Sequence, residues 1–349
     1  MLALATVLGA AACAAPSESH ERPSAVTSAI IKGTDSSAEQ NAVVLVMHYD
    51  AIKVGGAAAG CTGTLLTPRL VLTARHCVAE TDPTAACDAA GNPTFGGGVR
   101  GDHAPSKLHA FIGTERPDFL SGLDQGARGA ELIDDASNTL CNHDIALILL
   151  DRALPGAKLA PIRLDEGPRK DESVRVVGWG VTDKSSDPPT RQQRAGVKVV
   201  EVGPAEGLGP AEFRLGESGC AGDSGGPAFA ESTGAVLGVL SRGGNGANAP
   251  AGSAEGCLDA ENVFTSAAKY KDLVLSAYAK AGQEPWLEGQ PDPTTLPPKT
   301  ETAATEDDSS GCALAPARRA PDGAAAPSSL LVLAVLVVGA CTTRRRPRS

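Results

Sequence analysis

Between residues 30 and 283 the chain is built of short apolar runs broken by glycine, proline and aspartate. The runs are "AVVLVMHY" (42–49), "GTLLTPRLVLTARHC" (63–77), "LHAFIG" (108–113), "DIALILLD" (144–151), "VRVVGWG" (174–180), "GVKVVEV" (196–202) and "AVLGVLS" (235–241). The second splits into two at its Pro-Arg pair. Runs this short, rich in Val, Leu and Ile and bounded by turn residues, predict strands. One segment reads differently: "NVFTSAAKYKDLVLSAYAKAG" (262–282) spaces Val263, Tyr270, Leu273, Val274 and Tyr278 so that they share one helical face. Many strands and one late helix predict an all-β barrel or sandwich rather than alternating βαβ units. Neither a phosphate-cradling GxxxxGK[ST] nor a dinucleotide-binding GxGxxG is present.

The two ends break this pattern. "MLALATVLGAAACAAPS" is an apolar run closing on small residues, and residues 1–15 read as a signal peptide without the usual basic start. Residues 284–329 are rich in Pro, Thr, Ala, Asp and Ser with neither a helical nor a strand period. They read as an extended, disordered stalk. Residues 330–349 hold the apolar run "LLVLAVLVVGACTT" and end in "RRRPRS". Such a run beyond a stalk, closed by arginines, reads as an anchor or sorting segment with its basic end held inside. The order of Gly311-Cys312, spacer, short apolar run and arginine cluster resembles the C-terminal sorting tails of myxobacterial surface proteins. That resemblance covers only the last 40 or so residues. It implies surface attachment through Cys312, at the cell surface or outer membrane, or secretion after the tail is processed.

The 349 residues suffice for one large or two small cores. A formal net charge of −10 argues against a general nucleic-acid binder. Six of the nine cysteines (61, 77, 87, 141, 220 and 257) fall inside the strand-rich region, and none forms a CxxC pair. That disfavours a zinc ribbon or a dithiol redox motif and favours disulfides made in an oxidising compartment.

Candidate chemistry gathers in three segments. Acyl transfer needs a nucleophile, a base to take its proton, and an anion to orient the base. Histidine suits the second task because it titrates near neutrality. Of six histidines, His76 follows the apolar run in "LTARHC" and His143 stands beside Asp144 in "HDIALI". Ser224 lies in "GDSGGP". Asp134 and Asp135 are alternatives to Asp144, but they fall in a polar run and read as solvated surface, whereas Asp144 abuts an apolar strand.

These three segments, in this order, resemble the catalytic segments of trypsin-like (chymotrypsin-family) serine endopeptidases. The likeness runs from Ile30 to about residue 280. It implies an all-β fold of two six-stranded antiparallel β-barrels with a C-terminal helix over 30–283, acting on protein or peptide substrates. No cofactor or metal is implied, and no convincing calcium-ligand cluster is evident. The oligomeric state is left open. It implies that Ser224 attacks the scissile carbonyl, His76 carries the proton and Asp144 orients His76. The N–H groups of Gly222 and Ser224 would form the oxyanion hole. Residues 16–29 would be an activation propeptide, and cleavage before "IIKGTDSS" would free the Ile30 ammonium to pair with Asp223. Cys61–Cys77 and Cys220–Cys257 match family bridges, which leaves Cys87 and Cys141 to pair with each other. A catalytically inactive relative used as a surface binding module is the rival reading.

The resemblance also places Ser218 at the base of the substrate pocket, Ser241 and Gly243 along its substrate-pairing strand, and Asn262 on its wall. Ser218 is not an aspartate, so an arginine or lysine at the cleaved bond (P1) would be buried without a partner charge. An uncharged, small to medium P1 is expected. Position 242, usually tryptophan, is arginine here, and Arg242 would either attract acidic substrate residues or point to solvent.

Overall fold

The computed structural model describes residues 24–25, 30–48, 60–118, 125–250 and 253–295. The signal peptide, most of the propeptide, the greater part of the stalk, the apolar tail, Cys13, Cys312 and Cys341 lie outside the described residues. Six antiparallel strands form a first closed barrel: β1 (Val43–His48), β2 (Cys61–Thr67), β3 (Leu70–Thr73), β4 (Leu108–Phe111), β5 (Ala127–Ile133) and β6 (Ala146–Leu150). They neighbour one another in the order β1-β2-β3-β6-β5-β4, and β4 closes onto β1. Six more form the second barrel: β7 (Ser173–Gly178), β8 (Gln192–Val202), β9 (Glu212–Leu215), β10 (Pro227–Ala230), β11 (Val236–Gly243) and β12 (Asn262–Ser266). The order there is β7-β8-β9-β12-β11-β10, closed by β7 on β10. Both barrels therefore share one connection pattern, and the expected two-barrel all-β fold is the fold observed.

Period-two alternation explains why several strands are apolar on both sides. In β6, Ala146, Ile148 and Leu150 fill the first barrel with Val44, Val46, Leu65 and Val71. Leu147 points the other way, into a core shared with Val236 and Val239 of β11 and with Val274 and Tyr278 of helix α1 (Lys271–Ala281). That outer core joins the barrels. The second barrel is filled by Val174, Val199, Phe213, Leu240 and Phe264, with Ile30 among them.

Two boundaries differ from expectation. The helix read over 262–282 begins later: Asn262–Ser266 is strand β12, a single 3₁₀ turn follows over Ala267–Tyr270, and the α-helix starts at Lys271. Val263, Phe264 and Thr265 favour a strand, and pairing with β9 and β11 on both edges holds them there. Gly282, with φ 68, ends the helix in the left-handed conformation. The packed domain also runs past residue 283. Ile162 N–H donates to the Trp286 carbonyl at 2.9 Å, and Glu288 pairs with Arg163.

All three bridges join the cysteines expected, with Cα separations of 6.0 Å for Cys61–Cys77, 5.6 Å for Cys87–Cys141 and 5.4 Å for Cys220–Cys257. Disulfides of this kind are the mark of an exported protein. Among the described residues no helix is long and apolar enough to cross a membrane.

Candidate active site

The candidate residues come from both barrels. His76 sits on a 3₁₀ turn, Arg75–Cys77, just after β3. Asp144 immediately precedes the core residue Ile145 and strand β6, and is fully buried. Ser224 lies on the turn before β10, in the second barrel, and is 2% exposed. Its carbonyl accepts from Thr62 N–H at 2.8 Å, and Cys77 Sγ lies 3.5 Å from the same oxygen, so the serine turn packs directly on the histidine segment.

Asp144 grips His76 at two points. Oδ2 is 2.8 Å from His76 Nδ1, and Oδ1 accepts the backbone N–H of His76 at 3.0 Å. A third donor comes from the other barrel: Ser241 Oγ donates to Oδ2 at 2.6 Å. Burial opposes ionisation of Asp144 most strongly. The charge of His76 and the hydrogen bonds from His76 and Ser241 together outweigh it and hold the carboxyl below its ordinary range. With Nδ1 committed to Asp144, the second ring nitrogen, Nε2, is buried and makes no hydrogen bond among the described residues.

Asp134 and Asp135 are not the free surface groups expected. Asp134 lies 3.5 Å from Nε of the buried Arg75, and Asp135 contacts His143 Nδ1 at 2.5 Å. Each has its own partner, Arg75 or His143, so neither competes with Asp144 for His76.

At the serine turn, Gly222 has φ 106, and a Cβ there would lie 2.7 Å from Gly180 Cα, so only glycine fits. Among the described residues neither Gly222 N–H nor Ser224 N–H is given to a backbone acceptor. The intervening Asp223 is buried and accepts from Gly180 N–H at 2.9 Å. Burial pushes its pKa well above the carboxylate range, against the Gly180 hydrogen bond and the more distant Arg116 charge. Ile30, 1% exposed, lines the same small cavity as Asp223, together with Val176, Val177 and Gly219.

Ser218, Gly219 and Asn262 form one hydrogen-bonded unit. Asn262 Oδ1 accepts from Ser218 Oγ at 2.8 Å, from Ser218 N–H at 3.1 Å and from Gly219 N–H at 2.8 Å. Its Nδ2 lies only 2.0 Å from where a Cβ on Gly243 would stand. The carboxamide thus crosses between the Ser218 segment and β11, in the space beside Gly243.

Arg242 does neither of the things expected of it. Its side chain is 1% exposed and paired with Glu212, itself fully shielded, at 2.6 Å. Nothing in the sequence paired Arg242 with Glu212, 30 positions away. The hydroxyl of Ser241 as a partner of Asp144 was likewise not legible in sequence.

Among the described residues, one group of metal-donor atoms falls close together: Cys61, His76 and Cys77. The two sulfurs are bonded to each other and are not thiolates, so the group does not fit a metal ion.

Two closed barrels with a histidine, a buried aspartate and a serine between them define the class of two-barrel serine hydrolases. The family model described as Trypsin matches residues 30–114 and 122–274, and the chain belongs to that family. The chain is similar to snake venom serine protease Haly-2 of Gloydius brevicauda, 29% identical over 230 residues, covering 62% of this chain and 77% of the relative. It is 29% identical over 196 residues to the cercarial protease of Schistosoma mansoni, covering 52% and 70%. Among solved structures, neuropsin of mouse brain aligns with a TM-score of 0.49 at 19% identity, over 71% of this chain and 99% of that one.

Proposed function

We propose that the protein is an exported serine endopeptidase that cleaves polypeptides through an acyl-enzyme intermediate, with Ser224 as nucleophile, His76 as general base and Asp144 as its orienting anion. The observation that carries this reading is the grip of Asp144 on Nδ1 and on the backbone of His76. It fixes the tautomer with the proton on Nδ1 and leaves Nε2 as the basic nitrogen. His76 Nε2 then takes the Ser224 hydroxyl proton as Oγ attacks the scissile carbonyl. The carbonyl oxygen becomes an oxyanion, stabilised by Gly222 and Ser224 N–H. The proton passes to the leaving amine, and water repeats the sequence to release the acid.

Ser218 carries no charge and Asn262 narrows the space above it, which supports a small, uncharged P1. Cleavage after Ala29 would free the Ile30 ammonium to pair with Asp223. The tail beyond residue 329, with Cys312 ahead of it, is read as attaching the protease to the cell surface or outer membrane.

The test is labelling with a fluorophosphonate, followed by P1 profiling on a peptide library, using protein that begins at Ile30. Ser224 should label, Ser224→Ala should not, and alanine-sized P1 residues should lead the profile. Absence of label on correctly processed protein would point to a binding module instead.

A further inference from the structure

Glu212 and Arg242 are each 1% exposed, so neither presents charge to a substrate or to solvent. Every oxygen of Glu212 has two donors. Oε1 takes Arg242 Nη1 at 2.6 Å and the N–H of Asn142 at 3.0 Å; Oε2 takes Arg242 Nη2 at 3.0 Å and the N–H of Gly209 at 2.9 Å. Arg242 Nη2 also donates to the Gly207 carbonyl at 2.9 Å.

What distinguishes this pair is where its contacts lead. Asn142 stands two residues before Asp144, in a left-handed conformation with φ 68. Its side-chain oxygen accepts from Ala211 N–H at 2.9 Å, and its carbonyl accepts from Tyr270 OH at 2.7 Å. The turn that delivers Asp144 is therefore tied to the second barrel through Glu212. On the other side, Arg242 follows Ser241 directly, and Ser241 donates to Asp144 itself. The ion pair closes a loop: Asp144, Ser241, Arg242, Glu212, Asn142 and back to Asp144.

A buried pair of this kind is weak evidence for stability, because desolvation offsets most of the attraction and a well-packed apolar pair is often as good. Its contacts instead fix one strand against another. We propose that Arg242 and Glu212 are positioning residues for Asp144: they lock the Asn142–Asp144 turn of the first barrel to the substrate strand of the second, and so set how Asp144 holds His76. This rests on the reading of Asp144 as the orienting anion.

The test uses protein beginning at Ile30, with active sites counted by complete fluorophosphonate titration. Removing one partner alone leaves an unpaired buried charge and invites misfolding, so the informative variant is Arg242→Met combined with Glu212→Met. It leaves the Asn142 and Gly209 N–H groups without their acceptor, so it should melt below the parent but stay folded, while kcat per titrated site falls about tenfold to a hundredfold and KM changes less. Arg242→Met combined with Glu212→Gln, which buries no lone charge and keeps an acceptor for the Asn142 N–H, should lose far less. The low-field proton resonance of His76 Nδ1–H against Asp144 should shift in the double-methionine variant and stay near its parent position in Arg242→Met with Glu212→Gln. A double-methionine variant with parental kcat and an unmoved resonance overturns the proposal and leaves the pair a packing feature. If the parent itself neither labels nor turns over, the endopeptidase reading fails, and the resonance still reports on positioning independently.

Discussion

Ser241 Oγ donates to Asp144 Oδ2 at 2.6 Å across 97 positions of sequence. One barrel thereby supplies a hydrogen bond to the buried carboxylate of the other, and strand β11 becomes part of what keeps Asp144 ionised. Ser241→Ala removes that donor without removing bulk. A hydrogen bond to a buried charge contributes about 1.5–3 kcal/mol, so kcat/KM should fall by roughly ten- to a hundredfold, with a lower melting temperature. Steady-state kinetics alongside calorimetry check both. An unchanged kcat/KM would mean that the two hydrogen bonds from His76 are enough to hold Asp144.

On the proposed reading, Asn262 sets the size of the pocket. Its oxygen accepts three hydrogen bonds from Ser218 and Gly219, and its amide nitrogen stands against Gly243. Asn262→Gly removes the obstruction and leaves those donors to water. The P1 profile should broaden, with kcat/KM for leucine or phenylalanine rising about tenfold or more relative to alanine. The measurement is a ratio of two substrates on one enzyme, so partial unfolding does not affect it. An unaltered ratio would remove Asn262 from the pocket.

The fold was legible in the sequence because short Val- and Leu-rich runs between turn residues favour strands, and because "LTARHC", "HDIALI" and "GDSGGP" appear in one order. What escaped was set by tertiary pairing. Val263 to Ser266 carry a helical spacing, yet two neighbouring strands capture them. Trp286 to Glu288 looked like part of a stalk because their partners, Ile162 and Arg163, lie more than a hundred residues away. Arg242 could not be paired from sequence because Glu212 is also remote, and a serine in "LSRGG" looks the same whether it faces substrate or Asp144.

Cys87 and Cys141 close a loop with a sequence separation of 54, and Cys141 is three residues from Asp144. Chain-entropy arguments give such a closure roughly 4 kcal/mol. Replacing both cysteines by serine should lower the melting temperature by about 10 °C in a domain of this size. Because Asn142 follows Cys141 directly, kcat should fall as well when measured well below the new melting point. Calorimetry and kinetics at one low temperature separate the two effects.

Residue 29 is alanine, and the proposed pocket accepts alanine. The protease should therefore process its own propeptide. Ser224→Ala made alone should keep residues upstream of Ile30 in mass spectra and lose them when wild-type protease is added. An Ile30 N-terminus on the isolated variant would show that another enzyme makes the cut.

Asp223 gives this activation a pH signature. In the uncleaved chain its pKa is raised by burial, above its unfolded value. Such a group favours the fold below the unfolded carboxyl range, about pH 4, and withdraws that support as pH rises through the raised value. The carboxylate is thus a liability near neutrality until a cation arrives, since the Arg116 charge only partly offsets its burial. Cleavage would supply the Ile30 ammonium beside it. The raised group is then the amine, whose contribution is full below about pH 8, the unfolded α-amino value, and is lost as pH climbs through its folded value. Asp223→Asn should consequently stabilise uncleaved Ser224→Ala protein at pH 7, and should abolish activity in protein beginning at Ile30. Thermal melts from pH 4 to pH 9 on both forms, with and without Asp223→Asn, read the two trends. A destabilised uncleaved variant at pH 7 would show that Asp223 already has its counter-charge before the chain is cut.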